Sequence, residues 1–325
     1  MKVMLTGGTG FVGAWTAYAI AQAGHQVRYL VRTPDKLAVS AGALGLDTAD
    51  HVVGDIADAE AVRTALQGCD AVVHCAAVVA LGPDSAGEMA RTNLGGARNV
   101  LGQAVDLGLD PVVHVSSLAA VFDAGLSLLT ADLPVAPGLD AYGASKAEVE
   151  RYARGLQEQG APVVITYPGM VLGPPAGRQS GEATEGIEKV LVMRLVPGRR
   201  SAWTVCDVRD LGRVHAGVLE PGRGPRRYAA GGIRIEAREI AAALSQASGR
   251  RIVHLPVPDS VLRGFGRVED RLHLGTPITS ARMEYYTRMP ESDNGPVETD
   301  LGVRFRPPRE TLRDAVAGLR ALQHA

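Results

Sequence analysis

The chain has 325 residues, with 34 lysines and arginines against 35 aspartates and glutamates, a formal net charge of −1. That length holds one large α/β domain or one domain with an appendage, and the even charge speaks against nucleic acid and anionic membranes as partners. No apolar run nears the roughly 20 residues of a bilayer span, the first is too short for a secretory signal, and three scattered cysteines suit neither a disulfide framework nor a zinc site. A cytoplasmic setting without a bound metal is expected.

Lys2-Val3-Met4-Leu5 reads as a short apolar strand that runs into Thr6-Gly7-Gly8-Thr9-Gly10-Phe11-Val12-Gly13 and then a helix over 11–23. Glycines at a strand-to-helix turn bring bare N–H groups and the positive helix end against a pyrophosphate. His25 to Val31 reads as a second strand, with a helix beginning near Pro34. His51-Val52-Val53 is a third strand, ending at Gly54-Asp55, and residues 58–67 form a helix. Ala71 to Cys75, Pro111 to Ser116 and Val163 to Thr166 are further strands, separated by helices over 86–107 and 141–159. Cys75 is expected as a small buried hydrophobe at a strand end. Strands apolar at consecutive positions and alternating with helices predict a doubly wound parallel sheet of Rossmann type.

After Pro168 the rhythm breaks, with Pro174-Pro175, Gly177, Gly181 and Gly186. The expectation is a nucleotide-binding domain over 1–168 and a smaller mixed substrate lobe over 169–325, with a segment near 202–219 returning to the main sheet. Residues 202–206 and 227–230 read as strands. Ile240, Ala243, Leu244 and Ala247 mark one helix face, and Leu312, Val316, Leu319 and Leu322 another.

The second strand ends in Val31-Arg32-Thr33-Pro34-Asp35-Lys36. An acid here would hold the ribose 2′-hydroxyl of NAD, whereas Arg32, with Lys36 behind it, suits a 2′-phosphate. NADP(H) is therefore preferred; as a strand-end cation stacked on adenine, Arg32 would permit NAD(H) equally. Asp55 is a candidate for the adenine amino group, or a turn aspartate. Tyr142 and Lys146 lie one helical turn apart in Tyr142-Gly143-Ala144-Ser145-Lys146. A nearby ammonium favours the phenolate, so the pair can pass a proton to a carbonyl oxygen as hydride reaches its carbon. Ser116 and Ser117 end the fifth strand, where a hydroxyl can reach the same oxygen or cap a turn.

These elements, in this order, resemble the extended short-chain dehydrogenase/reductases of the NAD-dependent epimerase/dehydratase family. The resemblance extends to Gly54-Asp55-Ile56, His74-Cys75-Ala76-Ala77, Asn93 in Thr92 to Ala97, Ser116 to Val121, Tyr167 to Pro174 and Val205 to Leu211. It implies that Tyr142 is the acid/base, that Lys146 binds the nicotinamide ribose and lowers the tyrosine pKa, and that Ser117 orients the substrate oxygen. Ile56, Ala76, Ala77, Val78, Pro168 and Met170 would line the cofactor, with Asn93 beside it in a mainly structural role. Arg32 and Ser116-Ser117-Leu118-Ala119-Ala120-Val121 resemble the branch of dihydroflavonol, cinnamoyl-CoA and aldehyde or ketone reductases. Ser117-Leu118-Ala119 stands where sugar-nucleotide dehydratases carry Thr-Asp-Glu. Tyr167 replaces the family's common arginine.

The resulting expectation is an NADP(H)-dependent reductase or dehydrogenase of an apolar small molecule, with Val78, Val79, Leu81, Leu118, Met170 and Leu172 as pocket candidates. One alternative is a sugar-nucleotide epimerase with tightly bound NAD, its diphosphate held by Arg194, Arg199, Arg200, Arg226 and Arg227. Another is a non-catalytic NADPH-binding redox sensor, against which an intact Tyr142 and Lys146 argue. Related enzymes pair through the helices near 86–107 and 141–159. Arg98, Glu148, Glu150 and Arg151 there suit a homodimer interface or plain surface.

Overall fold

In the first strand, Val3 and Leu5 pack into one core while Met4 packs into another. Successive side chains of a strand point to opposite faces, so a strand apolar at every position needs cover on both sides. The computed structural model describes residues 1–78, 86–273, 276 and 278–324. Its main sheet is built from β1 (Lys2–Thr6), β2 (Gln26–Val31), β3 (His51–Val53), β4 (Ala71–His74) and β5 (Val112–Val115). Between them run α1 (Phe11–Gln22), α2 (Pro34–Ser40), α3 (Ala59–Leu66), α4 (Ala86–Ala97) and the one-turn α5 (Gln103–Asp106). A π-helical turn over Arg98–Gly102 joins α4 to α5, so the expected helix over 86–107 is continuous but bulged.

Next come the short β6 (Leu128–Leu129), α6 (Ala141–Glu158), β7 (Val163–Pro168), β8 (Met170–Leu172), α7 (Thr184–Met193), β9 (Leu195–Pro197), β10 (Ala202–Asp207), α8 (Val208–Gly217) and β11 (Arg226–Ala230). The seven-stranded sheet has the order β11-β7-β5-β4-β1-β2-β3, and all its pairings are parallel. The chain leaves β1 toward β2 on one side and reaches β4 on the other. That reversal opens a crevice at the carboxyl ends of β1 and β4.

The expected return of 202–219 to this sheet needs correction. β10 lies in a separate three-stranded sheet between β8 and β12 (Ile233–Glu236). Only its helix comes back: a Cβ on Gly212 of α8 would crowd the Trp15 carbonyl of α1. The returning strand is β11, which pairs with β7. The smaller lobe adds α9 (Ala237–Ser248), β13 (Val253–Leu255), α10 (Asp259–Leu272), α11 (Ser280–Arg288), β14 (Glu291–Ser292) and, after α12 (Gly295–Leu301), which packs on the main-sheet core through Val297, α13 (Pro308–His324). Ile240, Ala243 and Leu244 of α9 and Leu312, Val316 and Leu319 of α13 share its core, as their spacing predicts. The lobe is tied down through buried Asp207, which caps α8 and accepts from Arg209, Arg306 and Thr311. Among the described residues no helix is long and apolar enough to cross a membrane.

Candidate active site

The three glycines of the first turn do different jobs. Gly7 has φ +78°, and a Cβ on it would lie 2.8 Å from the Ala76 nitrogen. A Cβ on Gly13 would collide with the Gly7 carbonyl, so only glycine lets α1 start this close to β1. Gly10 has open space on its side-chain face, with nothing nearer than 3.4 Å, and caps α1 without a side chain. Bare backbone at a positive helix end is what a pyrophosphate requires, so these residues fit a dinucleotide.

The turn opens into a cavity of about 730 Å³. Gly7, Thr9, Gly10, Phe11, Val12 and Gly13 line its floor, and Arg32, Asp55 and Ile56 its adenosine end. Arg32 reaches Asp55 at 3.5 Å across the ends of β2 and β3. The other Asp55 oxygen accepts from the Ala57 nitrogen at 2.9 Å, so Asp55 is a turn aspartate as well. Lys36 is exposed and lies outside the cavity wall. Ala76, Ala77, Val78, Pro168 and Met170 line the wall toward β4 and β7. Asn93 stands behind that wall: its amide pairs with both backbone groups of Val78, at 2.7 and 3.0 Å, and donates to Ser145 Oγ. It shapes the cavity without lining it.

Ser117, Tyr142 and Lys146 meet at the far end of the same cavity. Asp140 caps α6 by accepting from the Gly143 nitrogen at 2.7 Å, which starts the helix one residue before Tyr142. Lys146, one turn on, is buried and donates to the Val115 carbonyl at 3.2 Å, its Nζ 6.0 Å from the Tyr142 ring centre. Desolvation pushes Tyr142 up to about 12, with the Ser117 hydrogen bond pulling the other way. Desolvation brings Lys146 itself down to about 8, so it stays mostly charged at neutral pH. Ser116 also lines the cavity, but its hydroxyl donates to buried Glu150 at 2.7 Å.

Three other expectations change, and one falls outside the described residues. Leu118 and Leu172 belong to two hydrophobic cores and do not line the cavity, because the wall is closed there by other residues. Val79 and Leu81 lie outside the described residues. Of the five arginines proposed for a sugar diphosphate, Arg227 pairs with Asp132, Arg226 donates to the Val218 carbonyl, and none of the five lines the cavity. Glu150, expected on the outer face of its helix, is fully buried. Sequence reasoning missed the segment 178–183, which supplies a whole wall of the cavity. Its signal was the close spacing of Gly177 and Gly181, both at positive φ.

Comparison with known proteins agrees with this geometry. A putative dihydroflavonol 4-reductase of Synechocystis sp. is 29% identical over 340 residues, covering 96% of this chain and 92% of that protein. Cinnamoyl-CoA reductase 1 of Oryza sativa subsp. japonica is 27% identical over 99% of this chain and 91% of its own. The crystal structure of gox2253 superposes with a TM-score of 0.81 at 25% identity, covering 99% of this chain and 98% of that one. The sequence profile described as the NAD dependent epimerase/dehydratase family matches residues 3–231. The chain therefore belongs to the NAD dependent epimerase/dehydratase family, as an enzyme of the extended short-chain dehydrogenase/reductase type that uses a nicotinamide cofactor.

Proposed function

We propose that this protein is an NADP(H)-dependent reductase acting on the carbonyl/alcohol pair of a small molecule. The observation that carries this reading is that Ser117, Tyr142 and Lys146 line one cavity, floored by the glycine turn, with Lys146 one turn from Tyr142 on α6. When bound, the nicotinamide supplies or accepts the hydride. Tyr142 is protonated at neutral pH and holds the proton that a forming alkoxide takes, since an alkoxide is a stronger base than a phenolate. Ser117 orients the same oxygen, and the Lys146 ammonium suits ribose hydroxyls. Val78 and Met170 give the substrate end an apolar side and Glu182 a charged one.

The test is NADPH consumption with a panel of aldehydes, ketones and steroids, some carrying a polar group, alongside UDP-sugars. Turnover of a carbonyl compound with matching loss of NADPH is expected. Conversion of a UDP-sugar without net loss of cofactor would replace this reading by an epimerase. Cofactor choice has its own test. Arg32 is 74% exposed, so its pair with Asp55 is weak and its guanidinium is available. Arg32→Asp should weaken NADP⁺ binding by about tenfold or more, the scale of a charge-assisted pair, and leave NAD⁺ unharmed. Calorimetric titration with both nucleotides reads this, and an equal loss for the two would refute the 2′-phosphate role.

A further inference from the structure

One wall of the cavity comes from neither the sheet nor α6. Beyond β8, Ala176 and Gln179 exchange two backbone hydrogen bonds, at 2.9 and 3.0 Å. They close a two-residue turn with Gly177 and Arg178 at its tip. Gly177 has φ +56°, and a Cβ there would collide with the Val39 carbonyl of α2. Gly181 has φ +78°, and a Cβ there would press on the Phe11 ring, at the first residue of α1. The strap is thus seated on α2 at one end and on the glycine turn at the other. Both seats require glycine.

The charges on the strap are unequal along its length. Arg178 lines the cavity and makes no hydrogen bond or ion pair among the described residues. Of the other cations of the lining, Arg32 stands beside Asp55 at the ends of β2 and β3, and Lys146 donates to the Val115 carbonyl. Four residues on from Arg178, Glu182 lines the same cavity as Tyr142 and Lys146. Its charge is felt at both of those groups. A helix N-terminus offers about half a positive charge, which leaves a pyrophosphate under-neutralised. An oxidised nicotinamide ring is cationic and a reduced one is neutral.

We propose that the strap over 176–183 is a second cofactor-binding element, in which Arg178 pairs with the pyrophosphate and Glu182 favours the oxidised nicotinamide. This rests on the reading that a nicotinamide dinucleotide lies along the cavity with its ring beside Tyr142. An arginine fork matches paired phosphate oxygens. A carboxylate beside the ring stabilises the product cofactor of carbonyl reduction relative to NADPH.

The test is binding, not turnover: titration of the protein and its variants with NADPH, NADP⁺ and NAD⁺. Arg178→Gln should weaken all three by about tenfold, the scale of one hydrogen bond to a charged group, and Arg178→Lys by less. Glu182→Gln should weaken NADP⁺ about three- to fivefold, as for a solvent-open ion pair, and leave NADPH within twofold. Arg178 is exposed and without partners among the described residues, so its variants keep the fold. If Arg178→Gln leaves all three affinities unchanged, the clamp is wrong. If it weakens only NADP⁺ and NADPH, Arg178 reads the 2′-phosphate and the pyrophosphate assignment falls. A Glu182→Gln variant with an unchanged ratio of NADP⁺ to NADPH affinity removes the role of Glu182. Wild-type protein that binds none of the three overturns the dinucleotide reading itself, a result distinct from the others.

Discussion

Tyr142→Phe should lower kcat for carbonyl reduction by about 10²–10⁴, the range of a positioned general acid, while NADPH still binds. The phenyl ring keeps the packing and loses only the proton. Ser117 and Lys146 remain in place, so substrate and cofactor are still oriented. The loss should therefore fall on kcat, with KM little changed. The pH profile carries a second signature. Desolvation pushes Tyr142 up to about 12, so the phenolate needed to accept a proton from an alcohol is scarce at neutral pH. Alcohol oxidation should climb steadily from pH 7 to beyond 9. Reduction, which needs the protonated form, should not show that rise, and should decline as Lys146 loses its charge above about 8. Steady-state rates in both directions, wild type against Tyr142→Phe, check this. Retention of more than a third of wild-type kcat would remove Tyr142 from the chemistry.

Much of this site was legible because its signals are local. Gly7, Gly10 and Gly13 announce a turn that only bare backbone can make, and Tyr142 and Lys146 share a helix face by spacing alone. The main strands are apolar at consecutive positions, and that run follows from burial on both faces. What could not be read depends on contacts between distant segments. Leu118 and Leu172 look like pocket residues in sequence, but the packing of two separate cores claims them. Residues 202–207 are as apolar as a main-sheet strand, and only the pairing with β8 and β12 places them elsewhere. Nothing local tells that Arg178 will line the cavity, because the turn that carries it is seated on Val39, more than a hundred positions earlier. Glu150 is the sharpest case. Among Glu148, Glu150 and Arg151 it reads as surface, yet it is the one of the three that is fully buried.

Glu150→Ala should destabilise the protein by about 3–5 kcal/mol, the cost of leaving a buried ion's partner unpaired. For a chain of this size that is a fall in Tm on the order of 10 °C. The reason lies in what its carboxylate gathers. Ser116 donates to Oε2 at 2.7 Å, Tyr167 to Oε1 at 2.6 Å, and Arg154 to Oε1 at 2.6 Å. Arg154 also donates to the Tyr167 hydroxyl at 2.9 Å and to the Leu133 carbonyl at 2.9 Å. A guanidinium delivered from α6 thus stands beside the tyrosine that occupies the family's usual arginine position. Glu150 and Arg154 continue the row begun by Tyr142 and Lys146, each one turn further along α6. The network fastens that helix to the ends of β5 and β7, which carry Ser117 and Pro168. Loosening it should therefore reach the chemistry. Glu150→Gln keeps the shape and one acceptor, so it should fold with a smaller loss of Tm and a lower kcat, from a less fixed Ser117. Removing both charges, as Glu150→Leu with Arg154→Leu, should cost less than the sum of the single changes, because no lone ion remains. Thermal unfolding of the two single variants and the double measures that coupling. Additive effects within about 0.5 kcal/mol would mean that the two residues act independently and that the network does not hold the three elements together.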